Sequence, residues 1–248
     1  MQLQAILFDL DDTLLGNGMD AFIPRYFALL GKYAERYMAR DKFLQELMIC
    51  TQAMIDHGDT AVSNRDAFWQ AFQQRTGLDP VEMEAFFETF YRDHFPQLAD
   101  ISEQQPCARE LVQFCFDQGL KVVIATNPMF PRIAIEERLR WAGLPITDFP
   151  FDLVTTYENM HATKPHPAYY QEILDIIQVP APAALMIGDD WENDIEPAAA
   201  VGLHTFWLTP VASDPPDKTI ISGAGSLAQV YDWLVTARSP EAASDRVS

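Results

Sequence analysis

Cations are scarce in this 248-residue chain: 17 Lys and Arg stand against 36 Asp and Glu, a formal net charge of −19. A field of that sign repels phosphate backbones and argues against DNA or RNA as a partner. It repels a small phosphate ester as well. Any phosphate chemistry must therefore rest on local positive charge, from a metal, a placed lysine or a helix N-terminus. Otherwise the acidity serves solubility. Long apolar runs are also missing, since none reaches the roughly 18 residues that a membrane helix needs. The opening MQLQAILFDL has neither the basic region nor the small-residue cleavage site of a secretory signal. Cysteine is limited to Cys50, Cys107 and Cys115, an odd number in no metal-ligand or framework spacing. That suits free thiols and a cytoplasmic address. The length allows a full hydrophobic core in one or two domains. Oligomeric state is not legible.

What is present begins with short apolar runs. LQAILFD (3–9), KVVIATN (121–127), FDLVTT (151–156), AALMIGD (183–189) and LHTFWLT (203–209) read as strands. Between them lie helix-like stretches at 106–118, 132–142 and 167–177, the first stopped by Gly119. Strands alternating with helices predict an α/β fold, a doubly wound parallel sheet that binds ligands outside the carboxyl ends of its strands. Residues 1–16 and 101–237 are assigned to this core. Residues 17–100 break the rhythm: apolar positions such as Phe22, Tyr26 and Leu30, or Met83, Phe86 and Phe90, recur at helical spacing. Four helices and no strand predict a separate helical domain, with Ser63 or Asn64 capping the third helix and Gly77 ending it. If the helices alternate up and down, the loop 56–65 overhangs the sheet edge. Gly16 and Gly18 could serve as hinges there. The polar tail 238–248 is expected to be disordered.

Polar clusters end four of the runs. Asp9-Leu10-Asp11-Asp12-Thr13 follows the first, and strand alternation predicts Asp9 and Asp11 on one side. Two carboxylates so close repel, and unless something compensates, one holds a proton. One can then act as an ionised nucleophile beside a cation and the other as a proton carrier. A polar Asx-turn is the plainer alternative. Gly188-Asp189-Asp190 and Asn193-Asp194 form an oxygen-rich cluster suited to Mg²⁺. Gly188 would let the backbone approach the ion, and Asn193 or Asp194 could instead cap a helix. Thr126 and Asn127 offer a hydroxyl and a backbone N–H to phosphate oxygens. Lys164 can neutralise a phosphoryl group or a nucleophile. Arg65, in the overhanging loop, is a solvated arginine or a contact for an anionic leaving group.

Together the four clusters, in this order and with a helical insertion between the first two, resemble the haloacid dehalogenase-like (HAD) superfamily and its phosphatase branch. The resemblance spans residues 1–235: DLDDT at 9–13, Thr126, Lys164 with its following proline, and GDDWEND at 188–194. It implies a Rossmann-like core with an inserted helical cap. It further implies that Asp9 forms an aspartyl-phosphate and that Asp11 is general acid, then general base. Thr126 and Lys164 would bind the phosphoryl group. Asp9, the Asp11 carbonyl and Asp189 would ligate Mg²⁺, with Asp194 behind them and Asp190 assisting through water. The implied reaction is Mg²⁺-dependent hydrolysis of a small phosphorylated metabolite. A phosphomutase, a dehalogenase on the same scaffold, or a metal-binding interaction protein are the alternatives.

Overall fold

The apolar runs read from the sequence become the parallel strands of one sheet. The computed structural model describes residues 2–16, 18–209 and 213–238. In chain order the elements are β1 (Ala5–Phe8), β2 (Leu15–Gly16), α1 (Met19–Ala34), α2 (Arg40–Asp56), α3 (Asn64–Thr76), α4 (Pro80–Asp93), β3 (Glu103–Gln104) and α5 (Ala108–Asp117). They continue with β4 (Lys121–Ile124), α6 (Arg132–Trp141), β5 (Leu153–Val154), α7 (Pro167–Ile177), β6 (Ala184–Gly188), α8 (Glu196–Ala200), β7 (His204–Leu208), β8 (Gly223–Gly225) and α9 (Leu227–Arg238).

Six strands pair in parallel in the order β5-β4-β1-β6-β7-β8. β1 sits inside the sheet with all four residues buried, because it is covered on both faces. Ile6 and Phe8 pack with α5, α6 and α9 residues such as Leu111, Leu139 and Val230. Ala5 and Leu7 pack on the opposite face with Tyr169, Ile173 and Ala198 of α7 and α8. This is the expected doubly wound α/β arrangement. The third run is shorter than its apolar stretch, pairing only over Leu153–Val154. β8 was not anticipated, because Gly-Ala-Gly carries no apolar signal and acquires its strand geometry by pairing with β7 at the sheet edge.

α1 to α4 bury Phe22, Tyr26, Leu30, Phe43, Phe72, Met83, Phe86 and Phe90 in a core of their own. Ser63 caps α3 by accepting from the Asp66 N–H, and Gly77, left-handed at φ 73°, ends it. The chain leaves for these helices and returns from them through an antiparallel β2–β3 ribbon. The helical core also takes in Ala134 of α6 and packs against Phe130 and Trp141, so the helices rest on the α/β layer. The start of α3, at the end of the 56–65 stretch, reaches the loop that follows β5 at the carboxyl edge of the sheet. There the backbone N–H groups of Asn64 and Arg65 donate to the carbonyls of Met160 and Tyr157, at 2.9 and 2.8 Å. No helix among the described residues is long and apolar enough to cross a membrane. The three cysteines are free thiols. The expected disordered tail, 238–248, lies outside the described residues apart from Arg238, the last residue of α9.

Candidate active site

β1 delivers Asp9 to the carboxyl edge, where its N–H still donates to the Ile187 carbonyl at 2.9 Å. The chain then turns at once: the N–H groups of Leu14 and Leu15 both donate to the Leu10 carbonyl. Asp12 takes the left-handed conformation, φ 54°, and accepts from the Gly18 N–H at 3.1 Å. Its side chain thus closes the turn onto the start of α1 rather than forming an Asx-turn. Thr13, whose role the sequence left open, donates its hydroxyl to Asp189 at 3.2 Å and so ties the first cluster to the fourth.

Lys164 joins the same two clusters. Its buried ammonium donates to Asp9 Oδ1 at 2.7 Å and to Asp194 Oδ1 at 2.5 Å. Burial alone would push this ammonium down. The Asp194 and Asp9 carboxylates outweigh burial and hold it well above the ordinary lysine range. The second Asp194 oxygen accepts from the Asp190 N–H at 3.1 Å. Gly188 is needed for a reason other than ion approach: a Cβ there would collide with the Asp194 carboxylate. Asp194 therefore does not cap a helix. That task falls to Asp190, which accepts from the Glu192 and Asn193 N–H groups at 3.0 Å and is turned away from the cluster into its own turn.

Oxygens of Asp9, Asp189 and Asp194 lie within 4.8 Å of one another. Burial, then the charges of Asp9 and Asp12, push the Asp189 carboxyl up to about 7. Asp9 and Asp11, which the sequence reading expected to share a proton unless something compensates, are compensated by a cation each, Lys164 and Arg138. All three donors are hard carboxylate oxygens, and one lysine does not balance them. That donor set fits a divalent, oxygen-seeking cation such as Mg²⁺. Since both Asp194 oxygens already accept hydrogen bonds, Asp9 and Asp189 have the freer oxygens.

Asp11 is held by Arg138, a residue that sequence reading missed. Arg138 sits on α6, 1% exposed, in an ion pair with Asp11. Its guanidinium lies over the rings of Phe22 and Phe130, 5.5 and 5.4 Å from their centroids. Burial pushes it down to about 10, against the pull of Asp9. The only signal was its helical register, one turn after Ile135 on the buried face of α6.

Thr126 and Asn127 follow β4. The Thr126 carbonyl accepts from the hydroxyls of Thr155 and Tyr169, at 2.6 and 2.8 Å, which fixes the strand end. Asn127 Oδ1 is buried without a hydrogen-bond partner among the described residues. Asn64, read from the sequence only as a possible cap of α3, instead donates its amide to the Ala162 carbonyl at 3.2 Å and clasps α3 to the loop before Lys164. Arg65 is not an open anion contact. It binds Glu84 through Nε at 2.6 Å and Nη2 at 2.7 Å, and Asp66 through Nη1 at 3.0 Å. The structure thus brings Asp9, Lys164, Asp189 and Asp194 into direct contact or close range and leaves Asp190 in its cap.

A family model described as haloacid dehalogenase-like hydrolase matches residues 3–202. The haloacid dehalogenase-like hydrolase domain-containing protein 3 of Bos taurus is 31% identical, over 94% of this chain and 96% of that protein. The pyrophosphatase PpaX of a Bacillus cereus strain is 27% identical over 83% of this chain and 82% of its own. Among solved structures, a HAD phosphatase from Thermococcus onnurineus shares the fold with a TM-score of 0.58 at 20% identity, covering 94% of this chain and 98% of that one. With its sheet, its four polar clusters and a family match running from β1 through α8, the chain belongs to the haloacid dehalogenase-like hydrolases.

Proposed function

We propose that this hydrolase is a Mg²⁺-dependent phosphatase acting on a small phosphorylated metabolite through an aspartyl-phosphate on Asp9. The observation that carries the reading is the buried carboxylate cluster itself. Asp9 faces Lys164 at 2.7 Å while Asp189 stands beside it with its carboxyl pushed up to about 7. A displacement of halide needs neither a metal nor a proton donor, and would gain nothing from Asp189 and Asp11. Phosphate-ester cleavage uses both.

In this reading Asp9 attacks phosphorus, and Lys164 orients the nucleophile and neutralises charge on the phosphoryl oxygens. The Thr126 hydroxyl and the Asn127 N–H hold the remaining oxygens. Asp9, Asp189 and the Asp11 carbonyl would hold Mg²⁺, which would supply Lewis-acid polarisation of the phosphoryl group when bound. Asp194 holds Lys164, and Asp190 holds the turn that carries Asp194. Asp11 gives its proton to the departing alcohol and then takes one from the water that cleaves the acyl-phosphate. Its carboxylate is engaged by Arg138, so proton delivery requires that pair to open. α1 to α4 act as a cap that excludes water during the reaction. The 17–100 insertion thus forms one functional unit and residues 1–16 with 101–237 the other.

The test is hydrolysis of p-nitrophenyl phosphate by the metal-stripped protein. Turnover should be absent with EDTA and return on adding Mg²⁺. Equal turnover in both would sink the metal-dependent reading.

A further inference from the structure

A cavity of about 350 Å³ lies between α1, α2, α3, α4 and the loop after β4. Ile23 and Phe27 of α1, Met48 and Ile55 of α2, Trp69 of α3 and Phe130 of the loop line it. None of its lining residues carries a charge. Several of its polar groups are partly engaged inside the protein. The Tyr26 and Tyr91 hydroxyls bond each other at 2.8 Å, and the Trp69 indole N–H donates to the Tyr157 hydroxyl at 3.4 Å. Thr51 donates to the Leu47 carbonyl at 2.9 Å, and Gln52 to Asp56 at 2.9 Å. A sugar would find few partners for its hydroxyls here. A carboxylate or a second phosphate would find no cation.

The cavity adjoins the candidate active site. Its wall begins at Met129, two residues beyond Asn127, a chain reach of at most roughly 7 Å. Phe130 is shared: one contact is the cavity, and another is Arg138, which holds Asp11.

Resting on the phosphatase reading, we infer that this cavity receives the leaving group, and that the leaving group is an uncharged apolar alcohol or phenol. The phosphorus–oxygen bond of the monoester breaks as Asp9 takes the phosphoryl group. Asp11 supplies the proton that turns the departing oxygen into a hydroxyl. Water then attacks the acyl-phosphate, so one ester and one water yield one apolar alcohol and one inorganic phosphate. The substrate class differs from the pyrophosphate named for the Bacillus cereus relative.

The inference is tested first by binding, with non-hydrolysable probes. Calorimetry with Mg²⁺ should show cyclohexylphosphonate binding about tenfold or more tighter than methylphosphonate, from the added buried methylenes. Ile55→Glu, or Ile23→Ser should the first fail to fold by circular dichroism, should shrink that ratio. Equal affinities in the wild type overturn the assignment. Turnover supplies the second arm: cyclohexyl phosphate should exceed glycerol 3-phosphate in kcat/KM by about tenfold, by the same apolar burial. Acetyl phosphate, too short to fill the cavity, separates the two ideas. Its hydrolysis without any cyclohexyl preference overturns the cavity's role and leaves the phosphatase reading standing. Failure of the protein to hydrolyse acetyl phosphate or either ester sinks the phosphatase reading, and with it the leaving-group role.

Discussion

Arg138 carries a full charge into a site with 1% exposure, and Asp11 is its ionic partner. Removing one member of such a pair strands the other, which costs more than removing both. A double-mutant cycle of Asp11→Asn and Arg138→Met, followed by urea unfolding, should therefore give a coupling of about 1–3 kcal/mol. Strictly additive effects would mean that the pair contributes nothing. Asp189 sets a second expectation. Its carboxyl, pushed up to about 7 from the ordinary 3.8, keeps a proton in the folded state that the unfolded chain has released. Stability of the metal-free protein should then fall as pH rises from about 4 to about 7. Mg²⁺ replaces that proton, so it should raise Tm more at pH about 7.5 than at about 5.5. Scanning fluorimetry at both values reads the difference, and an equal Mg²⁺ effect would count against Asp189 as a ligand.

At the scale of elements, the turn after β6 depends on Gly188. Its missing Cβ leaves the space that the Asp194 carboxylate fills, and Asp194 in turn holds Lys164. Gly188→Ala should cost about 1–3 kcal/mol through this overpacking. It should also lower phosphatase kcat, since Lys164 loses one of its two anchors. Unchanged stability would show that Asp194 has room to move. The elements that position the site were legible because strand β1 and strand β6 are apolar runs that end in acids. Lys164 and the Thr126 strand end were legible through the motif order. Arg138 was not, nor was the clasp made by Asn64: each works through contacts made across the fold, with Asp11 and with the Ala162 carbonyl, and local sequence carries no trace of a partner so distant. Gly188 was found, but the Asp194 carboxylate that fills the space beside it was not, since a glycine's sequence does not say which atom needs the space. β8, being Gly-Ala-Gly, has only its pairing with β7 to define it.

At the scale of the whole molecule, the net charge of −19 would oppose the arrival of the proposed phosphate ester, while Lys164, with any cation held by the carboxylates, would attract it only at short range. Salt screens the long-range repulsion far more than the buried contacts. The kcat/KM for a phosphate monoester should accordingly rise as ionic strength increases from about 10 to about 150 mM, with kcat little changed. A fall over that range would mean that local positive charge dominates the approach. The helical core resting on α6 joins the two halves of the molecule, and α6 itself carries Arg138 to Asp11. Helix packing and the placement of the Asp11 side chain are thus linked through one element.

The most direct measurement compares wild type with Asp9→Asn under Mg²⁺, following p-nitrophenol release and the phosphorylated peptide trapped by acid quench. The account predicts turnover in the wild type with phosphate found on Asp9, and neither product nor adduct in the variant. Sustained turnover by Asp9→Asn, or phosphate trapped on another residue, would contradict it.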